Sequence, residues 1–187
     1  FNLKHAIQQK FGFDLNRMTL GNGSNDILEL VARAFIAQGQ SAVYSQHAFA
    51  VYPLAVQAVG GLGIEVPAKN FGHDLDAMVA AITPNTKVVF IANPNNPTGT
   101  WFSRRVFELF MAQVPESVLV VLDEAYVEYA TDSHFMNGFD YVDKYPNLLV
   151  SRTFSKAYGL ASLRVGYAIA SPDVTNILNR VRQPFNV

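Results

Sequence analysis

Apolar, β-branched stretches alternate along the chain with segments in which apolar residues recur at helical spacing. Two stretches, 88–92 and 118–122, are apolar at every position, which is typical of strands buried on both faces of a mostly parallel sheet. The pattern predicts strands at 42–45, 63–66, 87–92, 117–122, 148–152 and 166–170. It predicts helices at 26–37, 51–59, 74–82, 103–113 and 172–181. The alternation indicates an α/β fold, a three-layer sandwich with a mostly parallel mixed sheet.

Residues that flank the predicted helices support their bounds. Gly39 follows the first helix as a stop signal, and Ser103 is a capping serine at the start of the fourth. Pro172 suits the first turn of the last helix. Because no linker, repeat or low-complexity tract interrupts the pattern, we predict a single domain over residues 1–187.

The composition narrows the possible functions. Basic and acidic residues nearly balance, 14 against 15, with a net charge of −1, so no nucleic-acid or anionic-membrane surface is indicated. The absence of cysteine excludes disulfides, thiolate metal sites and thiol catalysis. No apolar run reaches membrane-spanning length and the first residues lack a signal peptide, so we expect a cytoplasmic protein. The missing initiator methionine suggests a piece of a longer chain.

Polar segments follow three of the predicted strands. They are 93–99 (NPNNPTG), 123–126 (DEAY) and 153–156 (TFSK). In open α/β sheets ligands gather at the carboxyl ends of the strands. The three segments are therefore predicted to converge on one crevice.

Lys156 is the first candidate catalytic residue. Most lysines lie at the surface, but the neighbours Thr153, Ser155 and Tyr158 do not resemble a solvated helix face. A lysine that forms an imine with an aldehyde needs a lowered pKa, which partial burial and a nearby cation provide. We therefore expect Lys156 to be partly buried, with Arg164 as that cation.

Asp123 closes the apolar run 118–122 and is the candidate partner of a pyridinium nitrogen. A buried carboxylate keeps such a ring protonated, and only the protonated ring is a strong electron sink. Glu124 is the alternative acid, although strand geometry would point its side chain to the opposite face. Together with Lys156, these residues indicate pyridoxal phosphate as the cofactor.

Hydrogen-bond donors for the other groups of this cofactor lie in the same segments. Asn96 and Tyr126 are candidates for the ring oxygen, although Asn-Asn-Pro is equally typical of a turn. The Gly-rich turn at 21–26 precedes a helix and suits a phosphate, although ordinary capping by Ser24 or Asn25 would also explain it. Hydroxyls and a guanidinium for the phosphate would come from Thr153, Ser155 and Arg164.

Phe49 follows the predicted strand 42–45 and is a candidate for stacking on a planar ring. Core packing explains the same residue equally well. The neighbouring His47 is either a ligand-facing group or a residue at a helix entry. The remaining histidines are scattered and form no metal-binding pattern.

Four segments, GNGSNDILEL, NPNNPTG, DEAYVEY and SRTFSKAYGLASLRVGY, resemble the fold-type I aminotransferases, and most closely the histidinol-phosphate aminotransferases. The resemblance covers essentially the whole chain in the family's order. It implies that Lys156 holds pyridoxal 5′-phosphate and moves the substrate proton, and that Asp123 pairs with the ring nitrogen. Asn96 and Tyr126 would contact the ring hydroxyl and Phe49 would stack. The phosphate ligands would be Ser24, Asn25, Thr153, Ser155 and Arg164.

The resemblance also implies an activity and partners. The expected reaction is transamination between histidinol phosphate, a small-molecule amino donor, and the 2-oxo acid 2-oxoglutarate, in a homodimer. Ser162 stands where the family usually has glycine, and the family's N-terminal arm and C-terminal small domain have no counterpart here. The chain therefore resembles the large cofactor-binding domain alone, which we expect to be inactive by itself.

Other functions share most of these residues. An aromatic amino-acid aminotransferase, a threonine-phosphate decarboxylase, a β-lyase or a non-catalytic cofactor-binding fragment would fit the same motifs. A nicotinamide-binding Rossmann enzyme fits poorly, because Gly21-Asn22-Gly23 lacks a third glycine and the preceding strand of that fingerprint.

Overall fold

A mixed sheet of seven strands forms the middle layer of the structure, a computed structural model that describes residues 2–186. The strands are β1 (Met18–Gly21), β2 (Ser41–Ser45), β3 (Leu62–Val66), β4 (Thr86–Ala92), β5 (Leu119–Asp123), β6 (Leu148–Thr153) and β7 (Gly166–Ile169). Their order across the sheet is β1-β7-β6-β5-β4-β2-β3. The five neighbouring strands β3, β2, β4, β5 and β6 are parallel to one another, and β7 runs antiparallel to both β6 and β1. The predicted α/β architecture with a mostly parallel mixed sheet is confirmed.

Helices cover both faces of the sheet. They are α1 (Asn2–Phe11), α2 (Ser24–Phe35), α3 (Val51–Ala58), α4 (Leu75–Ala80), α5 (Arg104–Met111) and α6 (Pro172–Val181). The buried side chains of α1, α4 and α5 share one apolar layer, and those of α2, α3 and α6 share the other. This division gives the three layers that the sequence predicted.

Alternation along the central strands sends side chains into both apolar layers. In β4, Val89 and Ile91 pack into the α4–α5 layer, whereas Val88 and Phe90 pack into the α2–α3 layer. All four are fully buried. A strand covered on both faces must be apolar at every position, which explains the unbroken apolar runs.

Two elements, α1 and β1, were missed by the sequence prediction. Only Ile7 of α1 is buried, so the apolar periodicity of that helix is weak. The four residues of β1 are buried through their pairing with β7, a contact between distant parts of the chain. Neither feature leaves a strong local pattern, and the expectation that no strand precedes the Gly21-Asn22-Gly23 turn is wrong, because β1 does.

Helix ends agree with the predictions in part. α5 begins after Ser103 as expected, but the Ser103 side chain makes no capping hydrogen bond. α2 ends at Phe35, two residues early, because Ile36 is already extended. None of the helices in residues 2–186 combines the length and apolar character needed to cross a membrane.

Candidate active site

The carboxyl ends of β4, β5 and β6 meet at a narrow cavity of about 40 Å³ on the α2–α3 face of the sheet. The structure brings together residues from all three predicted segments, together with the start of α2 and of α3. The residues that line it are Ser24, Phe49, Tyr52, Ala92, Pro94, Asn96, Asp123, Ala125, Tyr126 and Lys156. We call this space the strand-end cavity.

Asp123 lies at the wall of the strand-end cavity and is only 5% exposed. Its carboxylate accepts hydrogen bonds from the Tyr52 hydroxyl (3.1 Å), the Ser151 hydroxyl (3.0 Å) and the backbone N–H of Ala125. Burial raises the pKa of Asp123, and these bonds and the Lys156 charge only partly oppose the rise. Within residues 2–186 no basic side chain forms an ion pair with Asp123.

Glu124 points to the other face of the sheet, as strand alternation predicted. Its carboxylate accepts two bonds from the Arg152 guanidinium (2.6 and 2.9 Å) and one from the backbone N–H of Gly138 (2.6 Å). Glu124 is therefore part of a closed buried ion pair and does not reach the strand-end cavity.

The three asparagines of the 93–99 loop have different roles. Asn93 is buried and bonds the backbone of Phe102 through both side-chain atoms. Asn95 is buried and donates to the His47 carbonyl and to the Thr98 hydroxyl. Within residues 2–186 the Asn96 side chain makes no hydrogen bond, and it lines the cavity. The loop is therefore held by its first two asparagines and leaves Asn96 available to a ligand.

Lys156 lies in the bend that follows β6, with its Nζ 5.4 Å from the centroid of the Tyr126 ring. The expected partial burial is wrong: Lys156 and all residues from 157 to 164 are exposed in this structure. The bend follows the end of β6, and none of residues 156–164 belongs to either apolar layer. The amine nevertheless lines the cavity that contains Asp123.

The turn before α2 forms a polar corner beside the cavity. Gly23 has a φ of +83°, and the Arg164 guanidinium occupies the space that a Cβ at Gly23 would need. Arg164 also donates to the Ser155 hydroxyl (3.2 Å) and the Asn22 carbonyl (3.4 Å). A guanidinium, a hydroxyl and the N-terminus of the twelve-residue helix α2 suit an anion such as a phosphate.

Two predicted phosphate ligands have other partners in the structure. The Asn25 side chain donates to Glu29 (2.9 Å) and lines a separate groove between α2 and α3. The Thr153 hydroxyl is buried, donates to the Val165 carbonyl (3.4 Å) and accepts from the Ser155 N–H (3.2 Å). Their side chains are not brought to the strand-end cavity, because each is used to hold a local turn.

The aromatic wall of the cavity contains one residue that the sequence prediction missed. Phe49 lines the cavity as expected and packs edge-on against Tyr52, with centroids 6.0 Å apart. Tyr52 stacks on Phe90 in β4 at 5.0 Å and so brings its hydroxyl to Asp123. The spacing of three residues between Phe49 and Tyr52, one helical turn, was the available signal. His47 is exposed and does not line the cavity; its carbonyl accepts from Asn95, and its ring lies 5.8 Å from that of Phe71.

Ser151 was also missed, although its position in the strand pairing identifies it. It lies opposite Asp123 in the pairing of β5 with β6, and two residues before Thr153 on the same face. A larger cavity of about 530 Å³ adjoins the site and shares Pro94, Asn96 and Tyr126 with it. Among residues 2–186 no group of side chains is suited to hold a metal ion.

Comparison with known proteins gives consistent results. Residues 2–187 match the family model described as aminotransferase class I and II. The whole chain is 65% identical to histidinol-phosphate aminotransferase 2 of Pseudomonas fluorescens and 64% identical to the protein of the same name from Pseudomonas aeruginosa. It covers 50% and 51% of those proteins, so the chain spans about half the length of the curated relatives it matches.

A solved structure shows the same fold. The crystal structure of histidinol-phosphate aminotransferase from Sinorhizobium meliloti in complex with pyridoxal-5′-phosphate superposes with a TM-score of 0.91. The two chains are 32% identical, and the match covers 97% of this chain and 50% of the other.

Proposed function

The chain belongs to the aminotransferase class I and II family, and on that premise we propose that it binds pyridoxal 5′-phosphate across the strand-end cavity and the polar corner beside it, because the cavity of about 40 Å³ is too small for the whole molecule. We further propose that the protein transfers the amino group of histidinol phosphate to 2-oxoglutarate, as a cytoplasmic homodimer. The names of the relatives at 64–65% identity support this substrate.

The observation that carries the proposal is the pairing of Asp123 with Lys156 in one cavity. Asp123 is a buried carboxylate that accepts hydrogen bonds from hydroxyl and amide donors, and within residues 2–186 it forms no ion pair. Burying an unpaired carboxylate is costly, and a ligand with a protonated ring nitrogen would offset that cost. Lys156 places a primary amine at the same cavity, as an aldehyde cofactor requires. When bound, pyridoxal phosphate supplies a conjugated ring that accepts the electron pair released at the substrate Cα.

Each side chain then has a distinct task. Asp123 would hold the proton on the ring nitrogen, and Asn96 with Tyr126 would contact the ring oxygen. Phe49 would cover the ring face. Lys156 would anchor the ligand and move the proton at the substrate Cα.

The phosphate is assigned to the polar corner beside the cavity. Backbone N–H groups at the start of α2, the Ser24 and Ser155 hydroxyls and the Arg164 guanidinium would bind it. Gly23 leaves the guanidinium room to lie against the turn. Asn25 and Thr153 would contribute through the turns that they stabilise, because their side chains are already bonded.

Reductive trapping tests the attachment site. The protein is mixed with pyridoxal phosphate, reduced with borohydride and digested, and the modified lysine is identified by mass spectrometry. We expect modification of Lys156, its loss in Lys156→Ala, and its retention in Lys87→Ala, a lysine at the opposite end of the sheet. Modification spread over surface lysines, with none concentrated at Lys156, would refute the assignment.

A substrate panel tests the reaction. The natural full-length protein is assayed with histidinol phosphate, aromatic amino acids, threonine phosphate and a β-lyase substrate, each with 2-oxoglutarate. We expect the highest kcat/KM for histidinol phosphate, and cofactor binding without appreciable turnover for the 187-residue chain alone. Preferential turnover of another substrate would reject histidinol phosphate and leave the cofactor assignment standing.

A further inference from the structure

The end of β4 leaves one backbone donor without a strand partner. β2 pairs with β4 only as far as Tyr44 opposite Phe90. Ala92 lies two residues beyond that last pair, so its N–H has no acceptor in β2. The next amide, that of Asn93, points the other way and bonds the Asp123 carbonyl in β5 (3.1 Å). A buried N–H with no acceptor would cost free energy at the wall of the strand-end cavity.

His73 supplies the missing acceptor from the connection between β3 and α4. Its Nε2 accepts the Ala92 N–H at 2.9 Å. Since that nitrogen is an acceptor, the proton of the neutral ring lies on Nδ1, which is buried and without a partner in the described chain. Burial lowers the pKa of His73 to about 4, so the ring is neutral and able to accept this bond at ordinary pH.

The bond fixes the point at which the 93–99 loop leaves the sheet. Ala92 itself lines the strand-end cavity. The His73 ring also lies beside Phe102, at 6.3 Å between centroids, and the backbone of Phe102 is bonded twice by Asn93. The strand end is thus held on one side by β5 and on the other by His73. Asn96, whose side chain makes no hydrogen bond within residues 2–186, follows four residues later.

We propose that His73 is a positioning residue for the cofactor site: it holds the end of β4 and thereby sets the place of Asn96 and of the cavity wall at Ala92. This role rests on the proposed function, because it concerns the binding of pyridoxal phosphate. His73 does not line the strand-end cavity, so its effect passes through the Ala92 amide.

The test compares His73→Leu with His73→Gln in the natural full-length protein. Leucine fills the space but accepts no hydrogen bond, whereas the glutamine side chain offers a carbonyl oxygen to the same N–H. We expect the Kd for pyridoxal phosphate to rise about tenfold in His73→Leu and to stay within about threefold of wild type in His73→Gln. Amide exchange in a peptide covering residues 90–97 should be faster in the leucine variant and restored by glutamine.

A stability control separates positioning from general destabilisation. Val118→Ala truncates a buried side chain at the amino end of β5, away from the cavity. It should lower Tm without changing the cofactor Kd. An unchanged Kd in His73→Leu, failure of glutamine to restore it, or an equal rise in Val118→Ala would overturn the proposal.

The amide exchange separates this inference from the proposed function. If the wild-type protein bound no pyridoxal phosphate, the proposed function and the cofactor role of His73 would both fall. Faster exchange in His73→Leu would then still show that the hydrogen bond holds the strand end. Unchanged exchange would refute the structural basis of the inference itself.

Discussion

Two consecutive carboxylates at the end of β5 occupy opposite faces of the sheet and have different kinds of partner. Asp123 faces the α2–α3 layer and the strand-end cavity, and Glu124 faces the α4–α5 layer. Both are buried, at 5% and 0% exposure, and burial raises the pKa of each. They differ in what the protein provides to offset the cost of a buried charge.

The Glu124 site is complete within the protein. Arg152 donates two hydrogen bonds to one carboxylate oxygen, and the Gly138 N–H donates to the other. The guanidinium in turn lies 3.5 Å from the centroid of the Phe139 ring. Charge, hydrogen bonds and packing are all satisfied, so this region stabilises the fold and has no need of a ligand.

The Asp123 carboxylate has hydrogen-bond donors around it but no positively charged partner within the described residues. Tyr52, Ser151 and Ala125 supply donors, whereas no cation forms an ion pair with the carboxylate within the described residues. Equal burial therefore leads to different consequences. The arginine makes one carboxylate structural, and its absence leaves the other suited to a positively charged ligand group.

Asp123→Asn should have the largest effect on this comparison. Without the carboxylate the ring proton is not held, so transamination by the full-length protein should fall about 10³-fold. The fold should not suffer, because the raised pKa means that ionisation of Asp123 opposes folding. The wild-type protein without cofactor should lose stability, relative to the variant, as pH rises from the ordinary carboxyl pKa through the raised folded value. Steady-state kinetics and urea unfolding at several pH values measure both effects.

Asp140→Asn, at an exposed position, serves as the matched control. It should leave kcat/KM and the unfolding free energy within experimental error of wild type. A cofactor-free Asp123→Asn protein that is much less stable than wild type at neutral pH would show that the carboxylate, like Glu124, serves the fold.

Glu124→Gln should have the opposite effect, on stability and not on binding. It leaves the Arg152 guanidinium buried without a counter-charge, which should cost about 3 kcal/mol of unfolding free energy. The Kd for pyridoxal phosphate, measured at a temperature where the variant is folded, should change less than about threefold. Glu128→Gln, at an exposed position, is the control and should change neither quantity. A stable Glu124→Gln protein with impaired cofactor binding would reverse the roles assigned to the two carboxylates.

The local pattern of the sequence was sufficient for most of the fold. The runs 88–92 and 118–122 are typical of strands covered on both faces, and β4 and β5 lie there with their carboxyl ends at the cavity. α1 and β1 could not be recognised in the same way. A helix with one buried residue and a four-residue edge strand depend on what they pack against.

The candidate site was predictable where its functional residues lie close together in short sequence segments. The segments around Asn96, Asp123 and Lys156 come together as expected. Tyr52 and His73 were not identified, because each acts on a residue that the sheet brings near from far along the chain. The exposure of Lys156 was wrongly predicted for a related reason: burial of a bend depends on what covers it, which its own residues do not encode.

Tyr52→Phe should give the smallest effect, and it tests how the Tyr52 hydroxyl changes the pKa of Asp123. The Tyr52 hydroxyl donates to Asp123 and lowers the pKa of that carboxyl against the effect of burial. Removing the hydroxyl should therefore raise the pKa of Asp123 further. Since the proposed cofactor requires the ionised carboxylate, the acid limb of its affinity–pH profile should move to higher pH. At pH values above that limb, Kd should rise about tenfold or less, which is the effect of losing one hydrogen bond.

Tyr141→Phe is the matched control for this measurement, because its hydroxyl also bonds an acid, Glu108, at 2.9 Å, but in the other layer of the protein. It should leave the cofactor Kd and its pH profile unchanged. Titrating each variant with pyridoxal phosphate across the acid range, and following the near-visible absorbance, gives both profiles. An acid limb that moves to lower pH in Tyr52→Phe would mean that the hydroxyl does not stabilise the ionised form. The distinction drawn between the two carboxylates would then rest on the missing cation alone.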